Sequence, residues 1–292
     1  MRRPAVVYVL LLVGLCGCDR SPPAAPATRS SLPTIASTVP AATDLIVGMG
    51  GGDQLVAVST YDRGRPDVGS LPQAGDYQTV DWELLATLRP TVLLTFISPD
   101  REPAGFRERA ADLHMQLLNV NVDRLADLDP AIDKLGTALD RPDLAATAKR
   151  TLDGQFDAVR HRVAGLPIVP ALVLLGPDAT GVAGPGTYLD DALHLAGGTN
   201  AAARLGDRWP TVDRETLLSL HPAVVLQLMP DAKPQELSRA AATWAQLPAG
   251  AVGRVCPITD PYAEQPGWHL PEVADQFARC LHANPPTPSV VR

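Results

Sequence analysis

Aromatic side chains are scarce in this 292-residue chain, where Phe, Trp and Tyr together make up 4%. Wherever the few rings gather is therefore informative. A basic excess is missing as well: 25 Lys and Arg stand against 32 Asp and Glu, and the cations are scattered, which leaves no electrostatic footprint for nucleic acid. No apolar run is long enough to cross a bilayer, since the stretch from Ala5 to Leu15 falls well short of the roughly 20 residues a spanning helix needs. The six His (114, 161, 194, 221, 269 and 282) are dispersed without a metal-ligand spacing such as HxxxH, which disfavours a zinc or manganese receptor. The glycine cluster GMGGGD at 48–53 is not a dinucleotide fingerprint, because Asp53 falls where the third glycine should be. GVAGPG at 181–186 lacks the Lys-Ser/Thr of a phosphate loop, and no GxSxG occurs. A hydrolase using a Ser with His269 stays open as an alternative, although no motif asks for it.

What is present is a repeat. TVDWELLATLRPTVLL at 79–94 returns as TVDRETLLSLHPAVVL at 211–226, 132 residues later. Each copy begins with an Asp suited to cap a helix (Asp81, Asp213), runs through a helix-compatible turn or two, and stops at Pro (Pro90, Pro222). A β-branched and leucine-rich run follows each Pro, as expected of a strand buried on both faces of a parallel sheet. The unit is α/β, and finding it twice predicts two α/β lobes, in keeping with a chain of this length and 46% hydrophobic content.

The remainder fits that plan. Residues 31–59 read as strand, turn at Pro40, helix from about Ala41 to Met49, glycine stop and strand; PALVLLGP and TYLDDALHLAGGTNAA repeat the order more faintly. Between the halves, residues 140–165 predict one long helix with Pro142 in its first turn, a rigid strut in place of a flexible linker. At the amino end, Arg2 and Arg3 precede the apolar run, which ends in Leu15-Cys16-Gly17-Cys18. This resembles a bacterial lipobox. Residues 1–17 are then a signal peptide, with Cys18 acylated, 18–31 a Pro/Ala/Ser tether, 32–139 and 166–284 the lobes, and 285–292 a disordered tail. Asp19 resembles an inner-membrane retention signal, so the expected place is the periplasmic face of that membrane. In that oxidising compartment the two remaining thiols, Cys256 and Cys280, are allowed to pair.

Two α/β lobes on a helical strut behind a lipoprotein signal resemble the helical-backbone class (class III) of periplasmic substrate-binding proteins that feed ABC importers. The words that carry the resemblance are SLPTIASTVPAATDLIVGMGGGDQLVAVS, the paired phrases Glu83 to Pro90 and Glu215 to Pro222, and TYLDDALHLAGGTN; within the class it looks closest to the cobalamin-binding proteins. The resemblance implies a monomeric carrier without enzymatic activity or cofactor, which takes a corrinoid as cargo and delivers it to a permease dimer. A ferric siderophore or haem is the rival cargo, for which Arg63, Arg65, Arg101 and Arg208 are the candidate cations; a partner-binding lipoprotein that has lost transport is a third class. For cobalamin-binding relatives the resemblance also partners the cysteine near Cys280 from the segment matching Ala196.

Candidate ligand residues are the rings at predicted strand exits: Tyr61, Tyr77, Phe96, Trp209 and Tyr262. Tyr77 and Trp209 each stand four residues before the repeated Asp, and are expected to face each other across an interlobe cleft, a place where ligands of open α/β sheets bind. The resemblance puts a Trp-Pro where Trp209-Pro210 stands, and a Trp where Tyr77 and Phe96 stand. Asp260 and Glu264, in the loop with Tyr262, are candidates to bond ligand amides. Glu83 and Glu215 lie in the first turn of the repeated helices, where a carboxylate is favoured by the helix dipole alone. By resemblance, each docks on an arginine of one importer subunit.

Overall fold

Two parallel sheets carry the molecule, and each is built from the duplicated unit. The structure is a computed structural model that describes residues 32–97, 102–177, 180–246 and 252–283, so Cys18, Asp19, the tether, Arg101 and the predicted tail lie outside the described residues. The first sheet has strand order β2-β1-β3-β4, from β1 (Ile35–Ser37), β2 (Leu55–Ala57), β3 (Val92–Thr95) and β4 (Gln116–Asn119), all parallel. The second contains β5 (Val169–Leu175), β6 (Gly181–Val182), β7 (Gly198–Asn200), β8 (Val224–Leu228) and β9 (Arg254–Ile258). Its core order, β5-β8-β9, matches β1-β3-β4 of the first. The edge beside β5 is shared: β7 pairs parallel with its first half and β6 antiparallel with its second. β7 falls at the strand that TYLDDALHLAGGTNAA faintly repeats after its glycine stop, whereas β6 is not foreseen from sequence, because a run of two residues carries no period.

The first helix, α1 (Pro40–Met49), begins at Pro40 itself. Pro40 lies in the helix and not in the turn expected before it; as the first helical residue it loses no hydrogen bond and its fixed φ suits the helix. Gly50, with φ 86°, closes α1 in the left-handed conformation, the stop expected of the glycine cluster. The repeated phrases form α2 (Trp82–Leu88) and α7 (Arg214–Ser219), capped by Asp81 and Asp213 through Leu84 N–H at 2.9 Å and Thr216 N–H at 2.7 Å. The residues before the prolines, Arg89 and His221, take φ 50° and 48°. Proline disfavours the helical region in its predecessor, so the chain leaves both helices through a left-handed residue.

Helix α5 (Pro142–Val163) is the predicted strut, 22 residues and about 33 Å long. Asp143 in its first turn and Arg160, His161 and Arg162 in its last complement the helix dipole. Its buried stripe of Ala145, Ala148, Leu152, Phe156 and Val159 follows helical spacing. Around it pack α1, α4 (Leu128–Ala138), α6 (Tyr188–Leu195) and α9 (Leu270–Leu281). One apolar cluster runs through all of them, from Ile35 in the first lobe to Phe277 in the second. Burial of a side chain like Phe277, fully enclosed on α9, contributes roughly 1.5–3 kcal/mol. The other face of each sheet has its own smaller core, under α2 and α3 (Phe106–Asp112) in one lobe and under α7 and α8 (Pro234–Ala245) in the other.

Cys256 on β9 and Cys280 on α9 are joined in a disulfide, with Cα atoms 6.2 Å apart. Ala196 is fully buried and its carbonyl accepts from His282 at 3.2 Å. The alternative pairing from that segment has no thiol available in this sequence.

Candidate functional site

The strands end in rings. Tyr61 sits in a short 3-10 turn after β2, held by Ser59, which accepts from Tyr61 N–H at 3.3 Å. Phe96 follows β3 directly, and Tyr262 lies just past β9. Tyr61, Tyr77, Phe96 and Trp209 are 59%, 46%, 46% and 45% exposed, and they are the exposed large aromatics among the described residues. Free rings of this kind would normally be buried, since each hides 150–250 Å² when packed. Three of the four have an aromatic companion in their own lobe: Tyr77 stacks on Tyr61 with centroids 6.0 Å apart, and Trp209 leans on Tyr188 at 5.9 Å. Each lobe thus carries one aromatic pair, with Tyr77 in the first and Trp209 in the second.

Tyr262 is used differently. Its ring stacks on His269 at 3.9 Å and carries the Arg65 guanidinium at 5.1 Å, so its face is occupied and its edge and hydroxyl remain. Asp260 is likewise engaged, accepting from Tyr262 N–H at 2.9 Å and from Gln276 Nε2 at 2.8 Å. Both its oxygens fix the loop, and the lone pairs they retain leave Asp260 able to accept from a ligand amide. Glu264 accepts from Gly176 N–H at 3.2 Å; partial desolvation of its carboxylate by the surrounding protein outweighs that bond and raises its pKa.

Beneath the rings the lobes are tied by charge. Asp44, on α1 and 1% exposed, accepts from Trp268 N–H at 2.6 Å and from His269 Nδ1 at 2.9 Å in the opposite lobe, and meets Arg65 at 3.5 Å. Burial alone would lower the His269 pKa, but the hydrogen bond and charge of Asp44, with Glu272 and Asp260 behind it, raise it. Asp62, also buried, is raised by desolvation despite Arg65 at 3.4 Å. Gly48 permits this junction, because a Cβ there would lie 2.1 Å from the Trp268 ring. A second tie pairs Arg208 with Asp123 at 3.2 Å and Arg124 with Asp191. None of these ties was foreseen except as isolated charges; a lone acid in the apolar word PAATDLIVGM was the one available sign of Asp44.

Glu83 and Glu215 are exposed at the starts of α2 and α7, as their capping aspartates dictate. Among the described residues there is no cluster of three or more His, Cys, Asp or Glu able to hold a metal ion. His269 is spent on Asp44 and Tyr262.

The family model described as "Periplasmic binding protein" matches residues 35–262, both lobes and the strut between them. The chain belongs to this family. As a periplasmic binding protein of the ABC-importer type it is a transport component, not an enzyme. Among curated relatives, a vitamin B12-binding protein of Pectobacterium carotovorum subsp. carotovorum is 24% identical over 200 residues, 68% of this chain and 72% of that one. Among solved structures, a periplasmic heme-binding protein of Pseudomonas aeruginosa superposes with TM-score 0.73 at 20% identity over 86% of this chain and 93% of its own. A periplasmic vitamin B12-binding protein of Vibrio cholerae gives TM-score 0.69 at 21% identity over 86% and 96%. At these identities the superpositions establish the two-lobed, helical-backbone fold.

Proposed function

We propose that this periplasmic binding protein is a lipid-anchored monomer that captures a corrinoid between its lobes and presents it to a membrane-embedded ABC permease dimer. The observation that carries the cargo is a combination: exposed rings in both lobes, and Arg65 and Arg208 already paired with carboxylates. A corrinoid is a broad macrocycle fringed with neutral carboxamides, suited to aromatic faces and to acceptors such as Glu264. Haem and most ferric siderophores present carboxylates or other anionic groups, which call for free cations. Arg65 is held by Asp67 at 2.7 Å with Asp62 and Asp44 beside it, and Arg208 is shared between Asp123 and the Gly186 carbonyl. Arg63 donates to Gln73 at 2.8 Å. The vitamin B12-binding relatives point the same way.

The reading includes the proposed parts of the chain: signal peptide 1–17, acylated Cys18 and tether to 31, lobes 32–139 and 166–284, strut 140–165 and tail 285–292. Glu83 and Glu215 are proposed to dock on the two permease subunits, since opposite charges chiefly set orientation and encounter rate. The test is capture from a panel of cyanocobalamin, cobinamide, haemin and ferric siderophores, with bound ligand identified by mass spectrometry. Retention of a corrinoid alone is the expected result; retention of haem or a siderophore in its place overturns the cargo and leaves the carrier role.

A further inference from the structure

Tyr188 opens α6 just after its cap, Thr187, whose hydroxyl accepts from Asp190 N–H. It is 6% exposed, which makes it the buried member of the two aromatic pairs. Its two ends do different things. The ring supports Trp209 at a centroid distance of 5.9 Å with planes tilted by 53°. The hydroxyl donates to the Glu264 carbonyl at 2.7 Å, in the loop that also carries Tyr262. Burial, reinforced by the Glu264 carboxylate, pushes its phenol pKa well above the ordinary value, so the hydroxyl stays a donor across the physiological range.

The segment holding Trp209 is otherwise tied to β6 and the turn after it: Gly184 N–H donates to the Arg208 carbonyl at 2.8 Å, Val182 N–H to that of Pro210 at 3.0 Å, and the Arg208 side chain reaches the Gly186 carbonyl and Asp123. These contacts fix the main chain but do not touch the indole. The loop at 260–267 is fixed at its two ends, by Asp260 to Gln276 and by Trp268 N–H to Asp44. Its middle is held by Tyr188 and by the Gly176–Glu264 bond.

We infer that Tyr188 is a positioning residue for the ligand, setting the indole of Trp209 with its ring and the Glu264 loop with its hydroxyl, so that two walls of the second lobe are aligned by one buried side chain. The inference rests on the proposed site at Trp209 and Glu264. It separates Tyr188 from a residue that merely fills the core, because the two functions are removable one at a time. Tyr188→Phe keeps the ring and drops the hydrogen bond; Tyr188→Leu drops both.

The experiment is a cycle of four variants in the full chain, Tyr188→Phe and Tyr188→Leu, each with and without Trp209→Leu, titrated with cyanocobalamin and cobinamide. Tyr188→Phe should raise Kd by about 3- to 10-fold, the scale of one neutral hydrogen bond. Tyr188→Leu should raise it further, and that further loss should vanish in the Trp209→Leu background, since no indole is left to support. An equal loss in both backgrounds, or none in either, overturns the inference. A second readout needs no ligand: in protein labelled with 5-fluorotryptophan, the Trp209 resonance, assigned by its absence in Trp209→Phe, should shift and broaden in Tyr188→Leu and keep its position in Tyr188→Phe. Should wild-type protein bind neither corrinoid, the cargo reading fails, while an unmoved Trp209 resonance in Tyr188→Leu would still overturn the role of Tyr188 on its own.

Discussion

His269 Nδ1 donates to the buried carboxylate of Asp44 at 2.9 Å, joining the loop after β9 to the first helix of the other lobe. The pKa of His269 is raised in the folded protein. The folded state therefore binds the proton more tightly than the unfolded chain, and the stability from that proton is fully present below about pH 6.5 and is lost as pH rises through the folded value. The expected outcome is a melting temperature that falls over that rise in wild type and falls less in His269→Gln. An identical pH profile in the two proteins would assign the dependence elsewhere.

Trp209→Ala is expected to weaken corrinoid binding by about 2 kcal/mol, the scale of an aromatic hot spot, with little change in melting temperature because the ring is 45% exposed. Tyr262→Ala should cost stability too: its ring is packed on His269 and Arg65, so melting temperature falls along with affinity. Calorimetric titration and thermal melts on both variants give the comparison.

Glu83→Arg with Glu215→Arg should leave corrinoid affinity in solution unchanged and sharply reduce uptake in cells and binding to the reconstituted importer. The residual binding should depend strongly on salt, as interactions among exposed charges do. Normal uptake by the double variant would return both acids to their plain role in the first turn of a helix.

Cys18→Ser is expected to move the protein from the membrane pellet to the soluble fraction, because several acyl chains anchor stably where one is marginal. Fractionation followed by immunoblotting reads the outcome, and a variant that stays in the pellet removes the anchor.

Reduction of the Cys256–Cys280 bond, across a sequence separation of 24, is expected to cost about 3.5 kcal/mol in the chain-entropy model. Denaturant melts with and without reductant measure the difference, and alkylation of two free thiols without reductant would remove the bond.

Much of the fold was legible because it is written in local chemistry. Asp81 and Asp213 announce helix starts, Pro90 and Pro222 their ends, and the two apolar runs after them can only be buried strands. Exposure of Phe96 and Tyr61 followed from their place just beyond β3 and β2, whereas Tyr77 and Trp209 lie further from any preceding strand and were marked by their equivalent places before Asp81 and Asp213. What could not be read was pairing over long separations. Nothing near residue 44 signals His269, which is 225 positions away, and nothing in TYLDD tells that its Tyr hydroxyl meets a carbonyl 76 positions on. The roles of Arg65 and Arg208 went the same way: a guanidinium looks available in sequence until the carboxylates folded against it are known.

The apolar cluster that passes unbroken from Ile35 through α5 to Phe277 bears on how such a protein can come apart. A duplicated sequence invites the thought of two halves that could be cut and expressed alone. Cutting before α5 would strip Ile132, Leu135 and Leu139 of their cover, and cutting after it would expose Val173, Leu189 and Phe277, side chains that are all fully enclosed in the whole chain. Neither half keeps a finished interior. Heat or denaturant should therefore dissolve both lobes in one cooperative step, and a protease that severs the strut should release no stable fragment.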